Sequence, residues 1–199
     1  MKKILSILLA FVMLAGILAG CGEIPEATTP NTQPPQPTEP EETIPEGNKV
    51  GDKCFSFDLE VVDENGATGE TVDPSATGKV TVLNFWGTWC NPCVSELPGF
   101  DEVAATYDVA VIAVHSKEDK KSMPAYIGKH YPESQILFAW DQSGENPFSD
   151  EFYVMMGNVG FYPYTLILNA EGIITKTFNG MIDHDTLVAA IVEAGATEK

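Results

Sequence analysis

Basic residues are scarce in this sequence: 11 Lys and Arg stand against 29 Asp and Glu, a formal net charge of −18 over 199 residues. Such a chain is repelled by phosphate backbones and by anionic lipid, which argues against nucleic-acid binding; the charge reads as solubility. Histidine is scarcer still: His115, His130 and His184 lie far apart, and each reads as an ordinary surface or strand-end residue. Only four cysteines occur, at 21, 54, 90 and 93, so there is no second CxxC-like pair. A structural zinc site draws four ligands from two such pairs, or from one pair and two spaced histidines, so no metal is expected.

The one long apolar run, residues 4–20, follows Lys2 and Lys3 and ends in Leu18-Ala19-Gly20-Cys21. A basic start, an apolar stretch and small residues make a signal peptide, so residues 1–20 are expected to lie outside the fold. The boundary resembles a bacterial lipobox, which implies that Cys21 is lipidated and becomes the mature N-terminus. An uncleaved anchor is the other reading, since the 17 residues of the run sit at the lower edge of a bilayer span. On both readings the protein is tethered to a bacterial membrane on its extracytoplasmic side.

Residues 21–48 are rich in Pro, Thr and Glu and have almost nothing to bury, so they are expected to form a disordered linker behind Cys21. At the polyproline rise of ~3.1 Å per residue the linker reaches up to roughly 80 Å. Residues 49–199 are enough for one domain with a sizeable core.

Within that domain "CFSFDLEVV" alternates through Phe55, Phe57 and Leu59 as a half-buried strand does, and Asn65-Gly66 offers a hairpin turn. The β-branched and aromatic run 79–87, bounded by Gly78 and Gly87, fits a buried central strand. Helical spacing follows through Val94, Leu97, Phe100, Val103, Ala104 and Tyr107, with Pro98 expected to kink the helix rather than end it. Strands are expected at 109–116 and 136–140, and helices at about 118–129 and 150–156. A hairpin over 164–178 turns at Glu171-Gly172, and Asp183 caps a last helix running to Ala194. The alternation gives an α/β fold with a central mixed sheet flanked by helices, preceded by an N-terminal β-hairpin.

Cys90 and Cys93 fall where the central strand gives way to helix. A disulfide between them closes too small a loop to constrain the unfolded chain much. Free backbone N–H groups and the positive end of the helix dipole favour a thiolate at that junction, which makes Cys90 the candidate nucleophile. Pro92 suits the first turn, where its missing N–H is not required. Cys93, one step into the helix, is placed to resolve a mixed disulfide on Cys90. Peroxiredoxins resemble this fold but carry a threonine three residues before the attacking cysteine, where Gly87 stands here, with Thr88 one place later. Thiol peroxidase chemistry stays open as the alternative, as does a non-catalytic lipoprotein that binds a ligand or metal.

The runs "LNFWGTWCNPCVSELP", "FYPYTLILNAEG" and "FNGMIDHDTLVAAI" resemble the TlpA/ResA family of membrane-tethered thioredoxin-like proteins over roughly residues 50–195. The resemblance implies a thioredoxin-like fold and a thiol-disulfide oxidoreductase that reduces disulfides of extracytoplasmic proteins. It implies no cofactor beyond the Cys90/Cys93 couple, and electrons from a membrane thiol carrier of the CcdA/DsbD type. It makes Pro163 a cis-proline beside the CxxC, and assigns Trp89 and Tyr162 with it to substrate binding; backbone pairing there would be strand addition. Oxidants of the DsbA type carry a histidine between the cysteines, whereas Asn91 and Pro92 are neutral, which points to a more reducing couple.

Two departures from the family stand out. Cys54 occupies the place where members commonly have proline, and reads as a buried apolar-like residue, with a regulatory thiol as the other reading. The approach to Pro163 is "GFYPYT" rather than "GxPT". Classical thioredoxins have a buried aspartate where Asn84 stands. ResA-like proteins have a glutamate at the spacing of Glu96, which implies that Glu96 serves the resolving thiol and would have a raised pKa. Glu96 also reads as a solvated residue near the helix start.

Overall fold

A computed structural model of the chain describes residues 43–116, 121–141, 150–157 and 160–199. The expected signal peptide, Cys21, the linker up to residue 42 and the helix start at 118–120 lie outside the described residues. Residues Glu42–Lys199 form one compact unit.

Two short strands, β1 (Glu46–Gly47) and β2 (Lys53–Cys54), pair in parallel. Glu46 and Gly47 fall in the stretch assigned to the linker, yet the Pro45 carbonyl accepts from Lys53 N–H at 2.9 Å, so the ordered domain begins ahead of residue 49. The expected strand through Phe55 and Phe57 is a second correction. Only β3 (Leu59–Asp63) is regular there, because the Asp73 carboxylate accepts from Phe57 N–H and from Ser56 Oγ, drawing that segment toward a 3-10 turn at Pro74–Ala76. β3 turns into β4 (Gly66–Val72) with Asp63 opposite Gly66. The tight loop is thus Glu64-Asn65, one residue earlier than expected, set by Asn65 N–H donating to the Asp63 side chain at 2.7 Å.

β5 (Val80–Trp86), β6 (Val109–Ser116) and β7 (Leu137–Asp141) run parallel, while β8 (Tyr164–Leu168) and β9 (Ile174–Asn179) form the closing antiparallel hairpin. The seven-stranded order is β4-β3-β7-β6-β5-β8-β9, so the N-terminal hairpin joins the far edge of the sheet through β3 and β7. Every residue of β5 is buried, Thr81 and Asn84 included, which is why it reads as a β-branched and aromatic run without in-out alternation.

Alternation along the strands divides the core. On one face Val82 and Trp86 meet α1 (Asn91–Thr106) through Leu97 and Phe100, α2 (Ser122–His130) through Ile127, and α4 (His184–Glu193) through Leu187 and Ile191. On the other, Leu83 and Phe85 pack with Cys54 and with α3 (Glu151–Met155) through Phe152 and Tyr153. Side chains of this size contribute about 1.5–3 kcal/mol each on burial. α1 runs on through Pro98, and Asp183 caps α4 by accepting from Thr186 N–H at 2.9 Å.

Candidate functional site

β5 delivers the chain to one end of the sheet, where a four-residue turn, Gly87-Thr88-Trp89-Cys90, closes through Cys90 N–H on the Gly87 carbonyl at 3.0 Å. The turn feeds α1 with Cys90 as its N-cap, and Cys93 N–H donates to Cys90 Sγ at 3.3 Å. Cys90 and Cys93 form a disulfide. Cys90 keeps 6% of its surface exposed and Cys93 none, so an incoming sulfur meets Cys90 first. Gly87 matters for space: a Cβ there would lie 2.7 Å from the Trp89 ring, which folds back over the turn.

Beside the turn, the Tyr162-Pro163 peptide is cis, as the resemblance implied. The Pro163 carbonyl accepts from Gly180 N–H at 2.9 Å, joining this loop to the one ahead of α4. Trp89 and Tyr162 place their rings 5.5 Å apart, so two of the residues assigned to substrate binding meet. Tyr162 also packs edge-on against Tyr153, whose hydroxyl donates to the Phe161 carbonyl. Burial, then the nearby Asp150, Tyr153 and Asp141, pushes the Tyr162 hydroxyl far above its usual range and keeps it neutral. Trp89, Phe161 and Met181 are exposed apolar residues on these loops. Met181 was not anticipated; the loop that carries it is brought to Pro163 only by tertiary pairing.

Glu96 is 5% exposed, which overturns the reading as a solvated surface residue. The pleat of β5 turns Asn84 to the α1 face, where its Nδ2 donates to Glu96 Oε1 and to Thr165 Oγ1, both at 2.9 Å. Glu96 Oε2 accepts from Ile182 N–H at 3.1 Å. Burial pushes the Glu96 carboxyl up to about 7, outweighing the Ile182 N–H and the Asn84 amide, which favour the carboxylate.

The remaining candidates lie apart. Cys54 is fully buried in the opposite core, its sulfur 3.7 Å from that of Met156. Burial, then Asp73 and Glu46, pushes its thiol up to about 12. Iodoacetamide at pH 8 should leave Cys54 unlabelled in the folded chain and label it fully in denaturant, as read by peptide mapping; rapid native labelling would revive the regulatory reading. Among the described residues no group of three His, Cys, Asp or Glu is placed to hold a metal. His184 sits 3.6 Å from Glu102 and from Asp185 at the surface, and His130 stacks on Tyr126. His115 does lie near a strand end, next to last in β6, but it is buried and touches the CxxC turn, which its place after six apolar residues could have signalled.

Comparison with known proteins gives a family and a fold. A family model described as Redoxin matches residues 41–191. The thioredoxin-like protein YneN of Bacillus subtilis is 34% identical over 133 residues, covering 64% of this chain and 70% of its own. The thiol-disulfide oxidoreductase ResA of the same organism is 31% identical over 156 residues, 70% of each chain. Among solved structures, the exposed lipoprotein thioredoxin Etrx1 of Streptococcus pneumoniae aligns with a TM-score of 0.53 at 26% identity, covering 69% of this chain and 99% of that one. A thiol:disulfide interchange protein of the DsbE type from Chlorobium tepidum aligns at 0.56 with 22% identity, over 73% and 97%, a likeness of fold.

Proposed function

The chain belongs to the Redoxin family as a thiol-disulfide oxidoreductase of the ResA type, and from that premise we propose that it reduces protein disulfides outside the cytoplasm. Lipid on Cys21 holds it at the membrane, and a thiol carrier of the CcdA/DsbD type restores its dithiol. The observation that carries the reading is the position of Cys90, which caps α1 with its sulfur on Cys93 N–H while Cys93 lies fully buried behind it.

In the reduced protein the helix start stabilises negative charge on Cys90 Sγ. That thiolate attacks one sulfur of the substrate disulfide; the S–S bond breaks, and the other substrate sulfur leaves as a thiolate and takes a proton. A mixed disulfide to Cys90 remains. Cys93 then loses its proton and attacks Cys90 Sγ, releasing the second substrate thiolate, which is protonated in turn. Two electrons and two protons pass to the substrate, and the protein is left with the Cys90–Cys93 disulfide. Trp89, Tyr162 and Pro163, extended by Phe161 and Met181, supply the surface for an extended substrate segment.

The neutral Asn91 and Pro92 between the cysteines support the reducing direction. Insulin reduction with a dithiol donor tests it: a rate well above that of the dithiol alone is expected, and no rate above it, or faster consumption of peroxide than of insulin, would refute it. Tethering has its own test. Cys21→Ala should leave an unprocessed precursor, whereas an uncleaved, unlipidated wild-type chain by intact mass would refute lipidation.

A further inference from the structure

The turn that carries Cys90 is held from outside by groups that the exchange chemistry does not use. His115 stands next to last in β6, 1% exposed, level with Trp86 of β5 and edge-on to its indole at 5.2 Å. Its two ring nitrogens have different partners. Nδ1 lies 2.8 Å from the Ser116 carbonyl, which can only accept, so Nδ1 carries the hydrogen. Nε2 lies 3.2 Å from Thr88 N, whose N–H can only donate, so Nε2 is bare. These two contacts together select hydrogen on Nδ1 and an accepting Nε2.

Thr88 is the second residue of the closed turn, and its hydroxyl donates to Ser122 Oγ of α2 at 3.1 Å. With its N–H on β6 and its hydroxyl on α2, Thr88 cannot tilt without breaking both contacts. Cys90, two residues on, has its N–H tied back to Gly87 and its sulfur on Cys93 N–H, so the tilt of the turn decides where that sulfur sits at the helix start.

We propose that His115 is a positioning residue for the Cys90 nucleophile: its bare Nε2, oriented by Nδ1–H on the Ser116 carbonyl, holds Thr88 N–H and so fixes the turn that aims the sulfur at the start of α1. The proposal rests on the oxidoreductase reading for its consequence, and its structural part stands apart from it. Phe at this position keeps a ring against Trp86 but offers no acceptor. Gln offers an amide oxygen at nearly the reach of Nε2.

The experiment uses the full chain, reduced with dithiothreitol, and follows Cys90 alkylation against pH, equilibrium with a glutathione redox buffer, and insulin reduction. His115→Phe should melt cooperatively, yet alkylate about tenfold more slowly at pH 7 with its pH profile moved upward, reduce insulin about tenfold more slowly, and equilibrate differently with glutathione; a single hydrogen bond is worth about that factor. His115→Gln should restore all three to within about twofold. A Phe variant with wild-type alkylation and redox equilibrium, or a Gln variant as impaired as Phe, would overturn the proposal. If the Phe variant fails to fold, ring-nitrogen NMR of the wild-type chain decides: protonated Nδ1 with bare Nε2 supports the proposal, and the opposite tautomer refutes it. Should the wild-type chain leave insulin intact, the reductase reading fails, while the alkylation profile and tautomer still judge His115.

Discussion

Cys90→Ser should lower disulfide reduction by at least about 10³-fold, whereas Cys93→Ser should complete one attack and stop. The two sulfurs are not equivalent. Cys90 is the cap of α1, receives an N–H from the first turn and keeps some exposure; Cys93 is enclosed in the core that contains Leu97 and Phe100. A hydroxyl at position 90 leaves no nucleophile that an external disulfide can reach. A hydroxyl at position 93 leaves the nucleophile intact and removes only the group that clears it, so the variant should accumulate as a chain-substrate adduct visible by intact mass. In the reduced wild type, iodoacetamide at pH 7 should modify Cys90 well ahead of Cys93. Equal rates would reverse the assignment, and an adduct formed by Cys90→Ser instead would exchange the roles.

Glu96→Gln should slow resolution of that adduct by on the order of 10²-fold at pH 6 to 7, the usual worth of a positioned general base, and shift the pH dependence of Cys90 alkylation. Buried between α1, β5 and the loop ahead of α4, the Glu96 carboxyl is pushed up to about 7 and lies one helical turn from Cys93, so the expected effect is that of a base serving the resolving thiol. Gln keeps the shape and an acceptor for Ile182 N–H but cannot hold the proton. The deficit should shrink toward pH 9, where the thiol ionises unaided. Stability carries a second signature. Between the ordinary carboxylate range and about 7 the folded protein binds a proton at Glu96 that the unfolded chain has lost, so this residue's contribution to stability falls as pH rises through that window. The fall is on the order of 3 kcal/mol at most. The melting temperature of wild type relative to Glu96→Gln should therefore decline from pH 5 to 8, and resolution rates identical across pH 5 to 9 would remove Glu96 from the mechanism.

What could be read without coordinates followed local rules. β5 is buried on both faces, so its β-branched and aromatic residues marked it without alternation, and Asp183, a residue type that caps helices, marked the start of α4. Cys90, Cys93 and Pro163 stood in motifs whose geometry is nearly fixed by sequence. The rest depended on contacts between distant segments. Phe55 and Phe57 alternate like a strand, but Asp73 claims the Phe57 N–H that a ladder would have used. Nothing near β3 specifies that it pairs with β7, almost eighty residues later. Helical periodicity put Glu96 on the face of Cys93 without telling whether another element covers it; the covering group is Ile182. The place of His115 beside Thr88 required the β5–β6 register.

The sheet register also settles where this domain can be handled. Val80 lies opposite Val109 and Thr81 opposite Leu168, so these positions share one pole, while the disulfide follows Trp86 at the other end of β5, roughly 20 Å away at strand rise. Glu46, through its pairing with Lys53, and Glu198 both lie toward the first pole. Lys53 bridges Ile173 just past β8, and Glu198 bridges Tyr107 just ahead of β6. A fluorophore or bead fastened at the described C-terminal end, beside Glu198, would therefore sit about the length of β5 away from the disulfide and leave the reactive pole open to the liquid.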